Sequence, residues 1–453
     1  MQTWKKYCVA LTALWSSQAL AGGFLLWEQN GAGVGDYHAG YAVDAADAST
    51  EFYNPAGLTY LKNTQAVAGL VIVPTKIEYT GTVQVSTINP PPVAAQYVSG
   101  APAGGVNAIP DFHFAQALSP RLWWGLGVNV PFGLATDYST DTYLRYGATK
   151  TQLQTIDVTP SLGYKLFNNF SVGAGLDAVY AQATFDQYSG FADNPFFDTL
   201  SDNRLSSWGY GYHLGALYQV TPRSRLGLAY HSKVDEEMTG RSRFVGYLAN
   251  SGAFLDPLVY GEQISNELKS SLSLPPYTTL SGLYNLTQQW TLLGSVTYTQ
   301  WSYIKALELQ NLAIADSSTG TATNNGVAYI NQDFRNTWNV ALGAEYAVSP
   351  KVMLRTGVGY DQTPVRDSSL RYIPTPDADR YAVAVGGHYQ VNKKVGTDIG
   401  WTHLFILNAP VHSSSTVGVN PNNPNPNGQT VTANGTVNTT ADVFGFQLSW
   451  NFD

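Results

Sequence analysis

Asp333-Phe334-Arg335 sets a guanidinium beside a carboxylate at the head of a run that alternates large apolar with small or polar residues. A guanidinium can engage both oxygens of a carboxylate, so Arg335 either holds an acidic ligand or pairs with carboxylates such as Glu345 or Asp177. Phe24, Trp27 and Trp301 offer a second chemistry, the wall of an apolar pocket. Asp44, Asp47 and Glu51 are spaced to share a helix face, but no further oxygen ligands accompany them, and a solvated face is expected rather than a cation site. The seven histidines show no metal-ligand spacing, and His213 and His388 are read as polar lining. Gly173-Ala174-Gly175 precedes no helix and is not a phosphate loop. No serine and histidine stand where a nucleophile and its base would converge, so no catalytic residue, metal or cofactor is assigned.

The elements that must position these residues are strands. From Val443 to Phe452 every even position (Phe444, Phe446, Leu448, Trp450, Phe452) is large and apolar, and the odd positions from Gly445 are small or polar. Period two sends the two sets to opposite faces, and an aromatic face turned outward suits lipid. Strand six sets Trp208, Tyr210, Tyr212, Leu214 and Tyr218 against Gly209, Gly211, His213 and Gln219. Strand ten sets Phe334, Trp338, Val340, Leu342 and Tyr346 against Arg335, Thr337, Asn339, Gly343 and Glu345. Strand twelve sets Tyr381, Val383, Val385 and Tyr389 against small residues with His388 and Gln390.

Six tight polar connections punctuate the runs, at Ser119-Pro120-Arg121, Phe167-Asn168-Asn169, Thr221-Pro222-Arg223, Leu286-Thr287-Gln288, Ser349-Pro350-Lys351 and Val391-Asn392-Lys393-Lys394. Seven longer stretches read as irregular: 81–107, 132–150, 189–205, 242–271, 305–330, 363–376 and 408–438. Strict alternation of the two kinds predicts fourteen strands, an even number with both termini on one side, as in bacterial outer-membrane barrels. The fold class expected is therefore all-β, a 14-stranded antiparallel transmembrane barrel, with polar residues facing a lumen.

Composition agrees. Charged residues are 12% and aromatic residues 13%, against about 25% charged in ordinary soluble chains. No apolar run of about 18 residues follows the start of the chain, so no spanning helix is expected. Lys5 and Lys6, the apolar run Tyr7–Trp15 and Ala19-Leu20-Ala21 read as a secretory signal, residues 1–21, carrying the chain's single cysteine, Cys8. Its removal moves the formal charge from −8 to −10, a balance that argues against nucleic acid as a partner. Residues 22–63 lack alternation. They hold Gly31, Gly33 and Gly35 and a short helix expected over Val43–Phe52, stopped by Asn54-Pro55, and they read as a compact piece packed inside something else. Residues 64–453 form the barrel.

A series of short segments then carries a resemblance. In chain order they are Gly23-Phe24, Asp44–Ala56 ending in Asn54-Pro55-Ala56, Gly127–Thr136, Tyr230–Lys233, Thr299–Ser302, Ala341–Tyr346, Leu354–Val365, Ile373-Pro374 and Asp379-Arg380-Tyr381. Together they resemble the FadL family of outer-membrane transporters for long-chain fatty acids and other hydrophobic compounds, which includes the toluene and xylene carriers. The resemblance covers essentially all of residues 22–453. It implies a barrel plugged by an N-terminal hatch (22–63, with the motif Asn54, Pro55, Ala56), capture of a ligand in an outer groove, transfer to a lumen pocket and lateral release through a gap in the wall.

Pro131 cannot donate to a ladder, and Pro131-Phe132-Gly133 either ends strand three or interrupts its pairing; the resemblance makes it the lateral gate. Phe191, Phe196, Phe197 and Leu200, with Phe254, Leu255, Leu258 and Val259, are apolar clusters in two long stretches, packed on each other as a cap or exposed as a capture site. The family's second basic residue late in strand five is missing from Ala181–Gln187, which weakens a carboxylate pocket. Long-chain fatty acids are the first substrate class expected, aromatic or aliphatic hydrocarbons the alternative, and a structural or adhesin barrel the second alternative. The expected partners are the hydrophobic ligand, outer-membrane lipid and lipopolysaccharide, around a monomer.

Overall fold

A computed structural model describes residues 23–86, 93–250, 259–316, 321–417 and 429–452. Residues 1–21 and the cluster residues Phe254, Leu255 and Leu258 lie outside them. Fourteen antiparallel strands close one barrel. Strands one to seven are Gln65–Ser86, Val93–Pro102 with Val106–Ala117, Leu122–Asn129 with Gly133–Asp137, Lys150–Phe167, Phe170–Phe191, Asn194–Thr221, and Ser224–His231 with Val234–Gly246. Strands eight to fourteen are Gly261–Leu274 with Tyr277–Asn285, Trp290–Thr299 with Ala306–Asp316, Thr321–Asn331 with Thr337–Ser349, Val352–Asp361, Arg380–Gln390, Val395–Ile406 with Ala409–Val417, and Gln429–Asn451. Strand one closes on strand fourteen, from Gln65 against Asn451 to Ser86 against Thr430. Closure is obligatory, because an open edge in hydrocarbon would leave backbone groups unpaired at several kcal/mol each.

The alternation holds through the ladders. Trp208, Tyr210, Tyr212, Leu214 and Tyr218 of strand six are exposed on the outside, as are Tyr381, Val383, Val385 and Tyr389 of strand twelve and the row from Phe444 to Phe452. In strand ten Trp338 and Leu342 face out while Thr337, Asn339 and Glu345 are buried. Phe334 departs from expectation: it is buried, because the chain leaves the ladder from Gln332 to Asn336 and the parity that runs on from Thr337 does not reach back to it.

All six tight connections are turns; the Leu118 N–H donates to Leu122 O at 2.8 Å across one, and the Val391 N–H to Val395 O at 3.0 Å across another. The long stretches are mostly not loops. Residues 189–205 are the meeting of strands five and six around Ala192-Asp193, and much of 81–107, 242–271, 305–330 and 408–438 is strand. A strand of 22 residues is about 70 Å long at 3.2–3.4 Å per residue, against an apolar band about 25 Å tall. Beyond that band neither face meets lipid, so pairing continues after the hydrophobic alternation has stopped.

Residues 23–63 contain little regular structure: turns of 3-10 helix at Gly33–Asp36 and Pro55–Tyr60 and one α-helical turn, Thr50–Tyr53. The helix expected from Val43 is shorter because Ala45 sits at φ +52°, outside the right-handed helical region. The α-helical turn stops at Asn54 as expected, where the backbone is extended, but a second helical turn follows at once. Pro55 opens the second turn, where a missing N–H costs nothing, and the Asn54 side chain accepts the Ala56 N–H at 3.1 Å.

This segment contacts inward-facing groups around the ring. The Gly40 N–H donates to Ser295 Oγ on strand nine (2.8 Å), Tyr41 OH meets Thr279 and Thr297 on strands eight and nine (2.7 and 2.6 Å), and Thr402 Oγ1 on strand thirteen donates to Val34 O (2.6 Å). Asn54 Nδ2 donates to Ala42 O at 2.6 Å and reaches Ala216 O of strand six (3.2 Å) and Leu228 O of strand seven (3.4 Å). Gly215 and Gly173 permit this approach, since a Cβ on either would collide with the Asn54 side chain or the Pro55-Ala56 backbone.

Candidate ligand pocket and wall gap

Strand three runs beside strand two only as far as Val128, opposite Phe112. From Asp111 back to Val106, strand two pairs with strand one alone among the described residues, and strand three next meets it where the Asp137 N–H donates to Ala103 O at 3.1 Å. Between these points Val130-Pro131-Phe132 leaves the ladder, and five residues of strand three (Asn129 to Gly133) span what four residues of strand four (Asp157 to Gln154) span. That mismatch is a bulge. Pro131 has no N–H to leave unpaired, which suits the position.

The edge exposed by the break is paired from inside. Leu25 forms an antiparallel bridge with Phe132, the Leu26 N–H donates to Pro131 O at 2.8 Å, and the Gly133 N–H donates to Phe24 O at 2.9 Å. The Val130 N–H donates to Gln29 Oε1 and Gln29 Nε2 donates to Val130 O, both at 2.7 Å. On the other side the Phe132 N–H donates to Thr155 Oγ1 (3.0 Å), whose hydroxyl donates to Phe132 O (2.8 Å). The backbone of the break is thereby satisfied without a neighbouring strand.

Behind this seal lies a cavity of about 720 Å³, its mouth included, lined by Phe24, Leu134, Met238, Leu272, Ile304 and Phe334 among others. Trp301, fully buried, backs it: its ring lies 4.8 Å edge-on from Phe24 and 6.1 Å from Phe334, and Phe24 is 6.0 Å from Phe132. Trp301 is turned inward as expected, although strand nine stops at Thr299 and Trp301 stands just past it in a 3-10 turn, Trp301–Tyr303. Trp27 is buried away from the cavity lining, between Tyr41 (6.1 Å) and Tyr277 (6.0 Å). Next to it burial pushes the Glu28 carboxyl up to about 7, opposed by its backbone hydrogen bond and by Arg380.

Arg335 is placed elsewhere. Its Nε donates to Thr363 O at 3.1 Å, and its Nη2 lies 3.8 Å from Asp379, about a third exposed. The expected partners are taken: Glu345 pairs with Arg355 (3.1 Å) and Asp177 with His213 (2.6 Å). The lining of the cavity contains no charged side chain among the described residues.

The solvated face expected of Asp44, Asp47 and Glu51 is corrected at Glu51, which is fully buried. Its carboxylate meets His113 at 3.0 Å and accepts from Thr159 and Ser161 at 3.1 Å, while His213 Nε2 approaches Ser161 Oγ at 2.9 Å. Asp177, His213 and His231 come within metal-ligand distance of one another, the one such group among the described residues. Both His213 nitrogens already have protein partners, Asp177 at one and Ser161 and the Glu51 carbonyl at the other, so the group reads as a brace between residues 23–63 and the wall. Of the outer cluster, Phe196 stacks on Tyr247 at 4.5 Å and Phe197 packs on Phe196 and Phe191, while Phe196 stays half exposed.

Sequence reasoning missed Leu25, Leu26 and Gln29. The apolar run Phe24-Leu25-Leu26 was a strand-like signal, but a glutamine completing another segment's backbone bonds leaves no trace in local pattern.

The chain matches the family model described as outer membrane protein transport protein (OMPP1/FadL/TodX) over residues 12–452. It is 30% identical over 429 residues to the long-chain fatty acid transport protein of Escherichia coli, covering 88% of this chain and 90% of that one. Among solved structures it is similar to a Pseudomonas aeruginosa FadL homologue (TM-score 0.79, 24% identity, 95% and 100% of the two chains). It is also similar to the Ralstonia pickettii toluene transporter TbuX (TM-score 0.63, 18% identity, 94% and 100%). A family match of this extent on a closed fourteen-stranded barrel means that the chain belongs to the FadL/TodX family of outer-membrane transport proteins, which carry hydrophobic compounds and are not enzymes.

Proposed function

We propose that residues 22–63 act as a hatch and that a hydrophobic molecule is captured near the outer aromatic cluster, descends to the cavity at Phe24, and leaves sideways between strands two and three. The observation that carries this reading is that Phe24 belongs to both parts: its side chain lines the cavity and its carbonyl holds the Gly133 N–H at the wall gap. A shift of residues 24–29 would therefore empty the cavity wall and unseal the gap in one movement. An apolar solute gains nothing from a water-filled pore, and release into the bilayer delivers it to its favoured solvent.

The class to test first is long-chain fatty acids, as named for the E. coli relative; uncharged hydrocarbons, as named for the toluene transporter, are the second. That none of the described lining residues is charged favours the uncharged class, because a carboxylate desolvated among them meets no cation to offset the cost.

Leu25→Cys with Phe132→Cys tests the route. Antiparallel neighbours have Cα atoms about 4.5–5.5 Å apart, within disulfide reach, and the only native cysteine is Cys8. The oxidised double mutant should lose uptake and regain it on reduction; undiminished uptake with the bond formed would sink lateral release.

A further inference from the structure

The cavity at Phe24 is apolar but not uniformly so. Three of its lining residues present a side-chain oxygen that is buried and has no hydrogen-bond partner in the protein: Ser270 Oγ, Gln332 Oε1 and Thr375 Oγ1. Ser270 and Gln332 are themselves more than nine-tenths buried, at 7% and 4% exposed. They come from three separate elements: Ser270 from strand eight, opposite Met238 of strand seven; Gln332 from the break in strand ten; Thr375 from the connection before strand twelve.

Three pairs of inward hydroxyls elsewhere in the barrel are bonded to each other. Ser281 meets Ser295 at 2.8 Å, Thr279 meets Thr297 at 2.9 Å, and Thr59 from the N-terminal segment meets Ser171 at 2.7 Å. Pairing across the wall is therefore available to this chain, and the cavity residues do not use it. A buried polar atom without a partner is disfavoured, so its retention against an oily wall points to a partner that arrives with the ligand.

The break in strand ten explains how Gln332 is aimed. The Gln332 and Asp333 N–H groups both donate to Lys305 O, at 2.9 and 2.8 Å, and Asp333 takes the left-handed φ of +35°. That local kink abandons the ladder and lets Gln332, with Phe334, turn toward the lumen.

We infer that the cavity recognises a hydrophobic molecule bearing a neutral hydrogen-bonding group, an aliphatic or aromatic alcohol, whose hydroxyl is received by Gln332 and Ser270 with Thr375 nearby. The inference rests on the transport reading above and narrows it. An amide oxygen accepts the ligand O–H, and the serine and threonine hydroxyls can donate to the ligand oxygen or accept from it. A bare hydrocarbon leaves all three oxygens unpartnered. An ionised carboxylate would satisfy the hydroxyls but faces the Gln332 carbonyl without a compensating cation.

The test is a matched series of octane, 1-octanol and octanoate at pH 8, titrated calorimetrically into the purified full barrel in lipid nanodiscs and corrected against empty nanodiscs. The expected result is that 1-octanol binds about tenfold tighter than either of the others. Gln332→Leu should erase that advantage and leave octane binding unchanged or stronger. Ser270→Ala, a smaller change, should reduce the advantage in a barrel whose folding is confirmed by heat-dependent gel migration. Equal binding of octane and 1-octanol, or tightest binding of octanoate, would overturn the hydroxyl inference alone. Binding of none of the three would overturn the transport reading and this inference with it.

Discussion

The side-chain amide of Gln29 completes the backbone of Val130, accepting its N–H and donating to its carbonyl, each at 2.7 Å. One flexible side chain thus occupies the place of a neighbouring strand at the point where strand three leaves its ladder. Such a contact can break without unfolding the barrel, which suits it to a seal.

Gln29→Leu should therefore loosen the seal selectively. Two buried backbone groups lose partners, at about 1–3 kcal/mol each. Amide exchange at residues 24–29 and 130–133 should accelerate by at least about tenfold, while the ladder between strands one and fourteen keeps its protection. Equal protection in the variant would show that Gln29 does not hold the gap.

Gly133→Arg addresses the same place by obstruction. A Cβ there would already lie 3.0 Å from Leu26 Cδ1, and a long charged side chain would fill the opening. Uptake of a hydrophobic substrate is expected to be abolished in cells whose variant barrel still migrates as a heat-resistant band. Normal uptake would remove the gap from the route.

Asn54→Ala cuts the tie from residues 23–63 to strands six and seven. Its amide donates to Ala42 O, Ala216 O and Leu228 O and its oxygen accepts the Ala56 N–H. A loss of about 1–3 kcal/mol in the local opening free energy should appear as faster proteolysis within the first forty residues after Ala21, with the barrel core intact.

The Glu28 carboxyl gives the seal a pH dependence. Its value of about 7 stands above the ordinary 4.5, with burial the largest cause and Arg380 and Asp361 acting in opposite directions. The folded state therefore holds the proton between these values while the opened state has released it. The stabilisation is complete below about 4.5 and is lost as pH rises to about 7. Exchange protection factors at residues 24–29 should fall from pH 5 to pH 7.5 in the native chain and stay level in Glu28→Gln; identical profiles would exclude Glu28 as the cause.

Wherever one side of a strand meets lipid, primary structure alone was enough. The rows Trp208 to Tyr218 and Phe444 to Phe452, and the six short turns, give strand number, handed faces and closure, because period two and the lack of water in hydrocarbon allow few other solutions. That rule stops where the ladder stops. Past the apolar band the strands continue unseen, and at Gln300–Tyr303 and Gln332–Asn336 the backbone leaves the sheet, so parity misplaces Phe334 and Arg335. Arg335 meets Asp379, Glu51 meets His113, and Gln29 meets Val130 only after the chain has closed on itself. Partners 44 to 101 residues apart share no local period, and which of several nearby carboxylates or carbonyls a long polar side chain reaches is set by distances that exist only in the folded barrel.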